Sequence, residues 1–313
     1  AADGETDLYW RMVKTAVAIN NLSKKFKGFT LDIPCLKIPQ GFATALIGEN
    51  GAGKTTLLNA LAGVRLDYKG NMDFFGKWDD KERENADCPV KEMIGYVGPN
   101  NYYLPQWTVK QVEEITDLLY DKFDRAKFER YLQQLQIVTT DHKGGGKKVN
   151  DLSDGNRMKL MLSGVFARET QMLILDEPAS PLDPLMRDVL CDMIRGYLEE
   201  GAGEKTVLFS THNIADMENV TDYAIIVEHG QVVEKGFVED LKEKYVYVKG
   251  ELKDISTAEK FMYSMTKNNY GYEGICLAED MDKLAGLDIA VETPTLSQIS
   301  VAVMKKSSKV QLA

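Results

Sequence analysis

A glycine-rich segment followed by lysine and threonine constrains the fold of this chain more than any other feature. It runs from Gly48 to Thr56 and fits the spacing G-x-x-x-x-G-K-[ST]. The apolar run at 42–47 is typical of a buried strand, and 54–61 has the pattern of a following helix. Glycines between a strand and a helix let backbone N–H groups surround an anion at the positive end of the helix dipole. The segment therefore predicts a phosphate-binding loop; the alternative is a glycine turn that caps an ordinary helix.

The polar residues of this loop match the groups of a nucleotide. The Lys54 ammonium would reach the β- and γ-phosphates, and the Thr55 hydroxyl would hold Mg²⁺. We therefore predict a nucleotide site with bound Mg²⁺. The residues expected to surround the phosphates are Gly48, Asn50, Gly51, Gly53, Lys54, Thr55 and Thr56.

A second apolar run, residues 172–175, ends in the acid pair Asp176 and Glu177. This pattern places both carboxylates at the C-terminal edge of a buried parallel strand, where open α/β sheets bind their ligands. Asp176 would be a partner of Mg²⁺, and Glu177 would accept a proton from an attacking water. Without the phosphate loop upstream, a strand that ends in an acidic turn would be the better interpretation.

Two further elements complete an ordered set of motifs. The segment 152–156 reads Leu-Ser-Asp-Gly-Asn and precedes a helical stretch, for which Ser153 is a good cap. Ser-Thr-His at 210–212 follows the apolar run 206–209. The order of the phosphate loop, the Leu-Ser-x-Gly element, the Asp-Glu strand end and Ser-Thr-His resembles that of nucleotide-binding subunits of ATP-binding-cassette (ABC) transporters. The resemblance covers about residues 16 to 240.

The resemblance implies that ATP and Mg²⁺ bind in a site shared by two subunits. Ser153 and Gly155 match the signature loop, which in the family contacts the γ-phosphate of ATP held by the opposite subunit. His212 matches the switch histidine that contacts the γ-phosphate and orients the water beside Glu177. Phe26 looks like the aromatic side chain that stacks on adenine, and a core phenylalanine is the alternative.

The chain departs from the family pattern at several positions. Asp154 and Asn156 stand where the family usually has Gly and Gln. The segment 98–101, after a predicted strand at 93–97, has asparagines in place of a Mg²⁺-ligating Gln, so either an Asn substitutes or the contact is absent. In the dimer-contact loop, a proline at position 181 replaces a small residue, whereas Asp183 is retained.

The resemblance implies an α/β fold with a P-loop NTPase core and a helical subdomain, and the pattern after it adds a small α+β C-terminal domain. Residues 109–136 are predicted to be an amphipathic helical region. The expected domains are an N-terminal extension (1–15), an ABC nucleotide-binding domain (16–237) with its helical subdomain at about 99–168, and a C-terminal accessory domain (238–313).

The C-terminal region alternates between strand and helix patterns. Residues 245–248 and 287–291 alternate like strands, whereas 257–263 and 296–304 are spaced like helices. The segment Thr293–Leu296 resembles the closing motif of bacterial export-type subunits that serve peptide, antibiotic or lipid-linked exporters. A stabilising extension, a dimer brace or a ligand sensor are the possible roles of this region.

Composition limits the expected partners. The 313 residues carry a net charge of -10, which argues against nucleic acid or an anionic membrane surface as the main partner. No apolar run reaches the roughly 18 residues that cross a bilayer, so a membrane role would come from a partner. We expect two partners, a second copy of the subunit and a separately encoded permease, and we expect the chain to be peripheral at the cytoplasmic face of the membrane.

The four cysteines are widely spaced in the sequence, which predicts reduced thiols at Cys35, Cys88, Cys191 and Cys276.

Two other function classes are less well supported. A non-transport ABC ATPase of DNA repair or ribosomes usually has a long coiled-coil insertion or two cassettes in one chain, and the sequence has neither. A GTP-handling switch protein would carry the guanine-reading motif N-K-x-D, which the sequence lacks.

Overall fold

The computed structural model describes residues 13–79, 89–140 and 144–311. In these ranges the strands form three β-sheets of four, six and four strands. The strands of the first sheet are β1 (Thr15–Phe26), β2 (Phe29–Pro39), β4 (Lys69–Phe74) and β5 (Trp78–Asp79). They are antiparallel and have the order β2-β1-β4-β5.

The central sheet carries the ends of the predicted motifs. Its strands are β3 (Ala43–Ile47), β6 (Ile94–Val97), β7 (Met172–Leu175), β8 (Thr206–Thr211), β9 (Tyr223–Glu228) and β10 (Gln231–Phe237). The order is β10-β9-β3-β8-β7-β6, in which only β10 is antiparallel to its neighbour. This parallel arrangement confirms the predicted α/β fold and brings the carboxyl ends of β3, β7 and β8 to one edge.

Both faces of the central sheet are covered, which explains its continuous apolar strands. In β7, Met172 and Ile174 face the core shared with the first sheet and with α1 (Lys54–Leu61). Leu173 and Leu175 face the opposite core, which contains the inner side of α6 (Pro184–Gly201). Two 3-10 turns, Ile214–Asp216 and Glu218–Val220, connect β8 to β9.

The predicted helical region at 109–136 consists of two helices. They are α3 (Val109–Leu119) and α4 (Arg125–Gln134), and the longer α5 (Asp154–Phe166) packs against both. Thr108 and Asp124 begin the two helices, because each side chain accepts a hydrogen bond from a backbone N–H of the first turn. The predicted strand at 93–97 begins one residue later, since the short helix α2 (Val90–Met93) precedes it.

The third sheet contains the C-terminal strands. They are β11 (Tyr245–Gly250), β12 (Met262–Lys267), β13 (Tyr272–Leu277) and β14 (Ile289–Glu292), in the antiparallel order β12-β13-β11-β14. Helix α7 (Val238–Lys244) leads into the sheet. The long α9 (Leu296–Gln311) follows it, packs on the main core and confirms the helix predicted at 296–304.

The helix predicted at 257–263 is wrong in its second half. Only α8 (Ile255–Ala258) and a 3-10 turn, Glu259–Phe261, are helical, and β12 begins at Met262. Met262 pairs with Cys276 across the sheet and is buried there. This tertiary pairing overrides the local spacing of apolar residues, which favoured a helix.

The structure describes three of the four cysteines and shows the length and apolarity of the helices. Cys35, Cys191 and Cys276 are free cysteines, as predicted, whereas Cys88 lies outside the described residues. Burial raises the pKa of the Cys191 and Cys276 thiols to about 11 each. In the part of the chain that the structure describes, no helix combines the length and apolarity that a membrane crossing requires.

Candidate active site

The predicted phosphate loop joins β3 to α1. Gly51 and Gly53 have φ values of 87° and 106°, in the left-handed region that favours glycine. A Cβ at Gly53 would lie 2.9 Å from the Phe29 ring, and one at Gly48 would lie 2.4 Å from the Val227 carbonyl oxygen. Among the residues that the structure describes, no side chain caps the start of α1, so its first backbone N–H groups can bind an anion.

Lys54 lies buried inside this loop and tightens it. Its Nζ donates to the carbonyl oxygens of Gly48 at 2.6 Å and Glu49 at 3.1 Å. The same Nζ lies 3.3 Å from Glu177 Oε1, and the Lys54 side chain is only 5% exposed. The loop lysine and the acid after β7 therefore belong to one site.

Asp176 and Glu177 follow the last residue of β7 and are fixed by Ser210 of the neighbouring strand. The Ser210 hydroxyl donates to Asp176 Oδ1 at 2.5 Å and accepts the Glu177 backbone N–H at 2.8 Å. Glu177 has φ of 50°, an uncommon conformation for a residue with a side chain. The sequence contained this hydroxyl at the end of an apolar run, but its contact follows only from the pairing of β7 with β8.

His212 lies beside Glu177 in the structure. Its Nδ1 is 2.8 Å from Glu177 Oε2. Since an ionised carboxylate only accepts hydrogen bonds, Nδ1 carries the proton and donates it to this bond. The Glu177 carboxylate is thus held between the Lys54 ammonium and the His212 ring.

A cavity of about 320 Å³ lies in front of the loop. It is lined by Phe26, Phe29, Asn50, Gly51, Gly53, Lys54, Thr55, Thr56 and Glu177. Phe26 is 38% exposed at its rim, with its ring centroid 6.1 Å from that of Phe29. The structure therefore brings together the predicted loop, acid and aromatic residues, and it adds Phe29, which the sequence interpretation missed.

Three predicted residues lie away from this cavity. Ser153 accepts the Asn156 N–H at 3.3 Å and begins α5, and Asp183 accepts the Met186 N–H at 3.1 Å and begins α6. A Cβ at Gly155 would lie 2.7 Å from the carbonyl oxygen of Pro181, which also belongs to a predicted contact loop. Neither Ser153, Gly155 nor Asp183 lines the cavity around Lys54 within one chain.

The asparagines after β6 differ in their surroundings. Asn101 accepts the Tyr103 N–H at 3.1 Å and donates to the Tyr103 carbonyl at 3.2 Å, so its side chain closes a local turn. Asn100 is exposed.

In β6 itself, Tyr96 donates to Asn59 Oδ1 at 2.7 Å. Burial, supported by the nearby Asp176 charge, raises the pKa of Tyr96 well above its usual value.

A further acid lies beneath the loop at the end of β9. Glu228 is buried, and its Oε1 lies 3.2 Å from His229 Nε2. Burial raises the pKa of Glu228, while the charges of His229 and Lys54 lower it in part. The region under the loop is therefore poorly solvated, which strengthens electrostatic contacts with a phosphate.

Residues 31–180 match the ABC transporter family. This segment has the sequence of an ABC ATPase domain. This family match agrees with the resemblance drawn from the motifs, and an ABC ATPase domain binds ATP with Mg²⁺ and hydrolyses it.

Two curated relatives show how far this chain resembles known proteins. It is 26% identical over 251 residues to the energy-coupling factor transporter ATP-binding protein EcfA2 of Enterococcus faecalis, covering 78% of this chain and 85% of the relative. It is 29% identical over 223 residues to the tungstate uptake system ATP-binding protein TupC of Peptoclostridium acidaminophilum, covering 70% of this chain and 97% of the relative.

A solved structure shows the same fold. The dimeric structure of a post-hydrolysis state of the ATP-binding cassette MJ0796, bound to ADP and Pi, superposes with a TM-score of 0.57 at 20% identity. The match covers 71% of this chain and 98% of that chain. At this identity the likeness supports the ABC ATPase fold alone.

The residues present fit a bound Mg²⁺. Asp176 is buried, and its Oδ2 has no hydrogen-bond partner within the described residues, although its Oδ1 is bonded to Ser210. A buried carboxylate oxygen without a partner is costly unless a ligand satisfies it. Thr55 is exposed in the cavity in front of the loop and supplies a hydroxyl oxygen, so the two residues offer the hard oxygen atoms that Mg²⁺ prefers.

Proposed function

We propose that this chain is the ATP-hydrolysing subunit of a transporter and that Glu177 is its general base. The observation that supports this most strongly is the position of the Glu177 carboxylate, 3.3 Å from Lys54 Nζ and 2.8 Å from His212 Nδ1. A carboxylate held at this place beside a phosphate loop can accept the proton of a water that attacks the γ-phosphate. Glu177 and His212 are the proposed catalytic residues.

The remaining residues of the site bind and orient the nucleotide in this proposal. Backbone N–H groups of the loop and the Lys54 ammonium hold the β- and γ-phosphates. His212 donates to Glu177 through Nδ1 and keeps Nε2 for the γ-phosphate. Phe26 provides a face for the adenine, with Phe29 behind it. Ser210 keeps both acids in place from the adjacent strand.

We propose that Thr55 and Asp176 hold Mg²⁺, the latter at least in part through water. When bound, the ion neutralises charge that develops on the β- and γ-phosphate oxygens. The free Oδ2 of Asp176 supports this role. It also explains why Ser210 occupies only the other carboxylate oxygen.

We propose that two copies of the chain share each ATP. Ser153 and Gly155 begin α5 outside the cavity, so a second copy would have to bring them to the γ-phosphate. The dimer of the MJ0796 cassette, which is bound to ADP and Pi, supports such an assembly. Asp183 would then lie near the contact between the two copies. Hydrolysis removes the γ-phosphate contact and lets the copies separate.

We propose that this opening and closing drives a separately encoded permease at the cytoplasmic face of the membrane. The curated relatives are ATP-binding proteins of an energy-coupling factor transporter and of a tungstate uptake system, which supports a transport partner. We further propose that 16–237 is the ATPase domain, preceded by an N-terminal extension at 1–15, and that 238–313 is an accessory domain. The net charge of -10 supports a protein partner over nucleic acid.

We also propose that the cargo is a peptide, an antibiotic or a lipid-like molecule and that it is exported; this proposal rests on one sequence motif. It is supported by the motif Thr293–Leu296, which in the structure leads into α9. The TupC relative belongs to an uptake system and favours the opposite direction. Purification of the chain with its permease, followed by identification of that permease, would decide between the two directions.

Replacement of Glu177 tests the proposed function. Glu177→Gln keeps the shape of the side chain and removes the base, so ATP binding should persist while hydrolysis falls by two orders of magnitude or more, roughly the size of a general-base contribution. With ATP the variant should elute as a dimer from a sizing column. A monomer with normal turnover would contradict the proposal.

A further inference from the structure

One carboxylate connects the C-terminal helix to the segment that follows His212. Glu218 opens the second of the two 3-10 turns between β8 and β9. Its Oε1 accepts the Leu296 N–H at 2.8 Å, and its Oε2 accepts the Ser297 N–H at 3.4 Å. These are the first N–H groups of α9, where unpaired donors and the helix dipole stabilise an anion.

Apolar contacts strengthen the same junction. Ile214 and Met217, on the segment after His212, are buried in one core with Leu296 and Ile299 of α9. The hydrogen bonds of Glu218 therefore lie next to a buried apolar contact between the same two segments. Because such packing transmits displacement rather than absorbing it, α9 and the segment 213–220 should move as a unit.

The opposite side of this segment is fixed to the loop that follows Glu177. Arg187 Nη1 lies 2.7 Å from Asp216 Oδ1. Arg187 Nε also donates to the carbonyl oxygens of Ala179 at 3.2 Å and Leu182 at 3.0 Å. The segment after His212 is thus held between the loop after Glu177 and the C-terminal helix.

We infer that Glu218 is a positioning residue for ATP hydrolysis, which ties the C-terminal helix to the segment that places His212 against Glu177. This inference rests on the proposed role of His212. It gives the C-terminal region a regulatory role: a displacement of α9 withdraws His212 and slows hydrolysis. The motif Thr293–Leu296 leads into α9 and ends at Leu296, whose N–H meets Glu218.

Steady-state ATPase kinetics of the full chain test this inference. Glu218→Ala should lower kcat on the order of tenfold, by analogy with the loss of outer-shell residues that hold metal ligands in place. The KM for ATP should stay within about twofold, because the phosphate loop is untouched. Glu218→Gln keeps one acceptor for the Leu296 N–H and should have an intermediate kcat.

Gln298→Ala is the matched control. Gln298 Oε1 accepts the Thr295 N–H at 2.9 Å, a bond within the first turn of α9 that does not reach the segment after His212. This variant removes that local bond, leaves the Leu296 and Ser297 bonds to Glu218 in place, and should keep the wild-type kcat. An equal loss of kcat in Gln298→Ala and Glu218→Ala would overturn the inference, because helix stability alone would then explain the effect.

Measuring the effect of Glu218→Ala in the His212→Ala variant distinguishes failure of the inference from failure of the proposed function. In His212→Ala, the further change Glu218→Ala should cause no additional loss, since it acts through His212. An additive loss would overturn the positioning role. A wild-type rate in His212→Ala would contradict the proposed role of His212 itself. A third outcome would contradict only the inference. In it, His212→Ala has a low kcat, whereas Glu218→Gln and folded Glu218→Ala both have the wild-type kcat.

Discussion

His212 Nδ1 lies 2.8 Å from Glu177 Oε2, across the carboxyl ends of the neighbouring parallel strands β8 and β7. The two residues are far apart in the sequence and meet because Leu175 pairs with Phe209 in the sheet. This register places the residues after both strands at one edge. The contact connects the proposed base with the proposed γ-phosphate sensor.

Loss of the histidine should slow hydrolysis without preventing ATP binding. His212→Ala removes the donor that orients Glu177, so kcat should fall by about a hundredfold or more. ATPase assays and a nucleotide titration measure the two quantities separately. His229→Ala is the control, because His229 is exposed in the turn after β9 and contacts Glu228 instead. Equal losses of kcat in both variants would contradict a specific role for His212.

Removal of the loop lysine should abolish tight ATP binding. Lys54→Ala deletes the charge that faces the phosphates and also three contacts, to Gly48, Glu49 and Glu177. Calorimetric titration with ATP should show the loss, while Lys77→Ala, on an exposed turn, should bind as the wild type does. Wild-type affinity in Lys54→Ala would refute the assignment of the loop.

The Ser210 hydroxyl should contribute to both stability and rate. Ser210→Ala leaves the Glu177 N–H and Asp176 Oδ1 without this partner, so the free energy of unfolding should fall by about 1–3 kcal/mol. Urea denaturation measures this change, and the ATPase rate should fall with it. Ser163→Ala is a control, since the Ser163 hydroxyl donates to the Lys159 carbonyl of its own helix and, among the described residues, has no other hydrogen bond. An unchanged rate and stability in Ser210→Ala would show that the contact is dispensable.

Thiol labelling should follow burial and pKa. At pH 8, the exposed Cys35 should react with iodoacetamide, whereas the buried Cys191 and Cys276 should not. Burial raises the pKa of both buried thiols to about 11, so the reactive thiolate is scarce at pH 8 and its fraction increases as the pH rises toward 11. Peptide mass spectrometry identifies the labelled sites. Rapid labelling of Cys191 at pH 8 would contradict its placement in the core.

The sequence predicted the parts of the site that depend on local chain geometry. Gly51, Gly53 and Lys54 lie within four positions of the sequence, and their spacing between an apolar run and a helical pattern indicates a strand, an anion-binding turn and a helix. The acids after β7 were predictable because a continuous apolar run indicates a strand covered on both faces.

The parts that were missed depend on contacts between distant segments. Ser210 reaches Asp176 only through the register of β7 with β8. Phe29 backs the cavity because β1 and β2 turn tightly beside the phosphate loop. Met262 belongs to a strand because it pairs with Cys276. Spacing within one segment does not contain this information.

The central claim of the proposed mechanism is that Ser153 of the partner subunit completes the ATP site around Lys54. The most direct test mixes two inactive variants, Ser153→Arg and Lys54→Ala, and measures ATPase activity against protein concentration. Each mixed dimer should regain at most one active site, while Ser153→Arg alone should bind ATP as a monomer and neither dimerise nor turn over. Hydrolysis by Ser153→Arg alone at the wild-type rate over the whole concentration range would contradict the shared site.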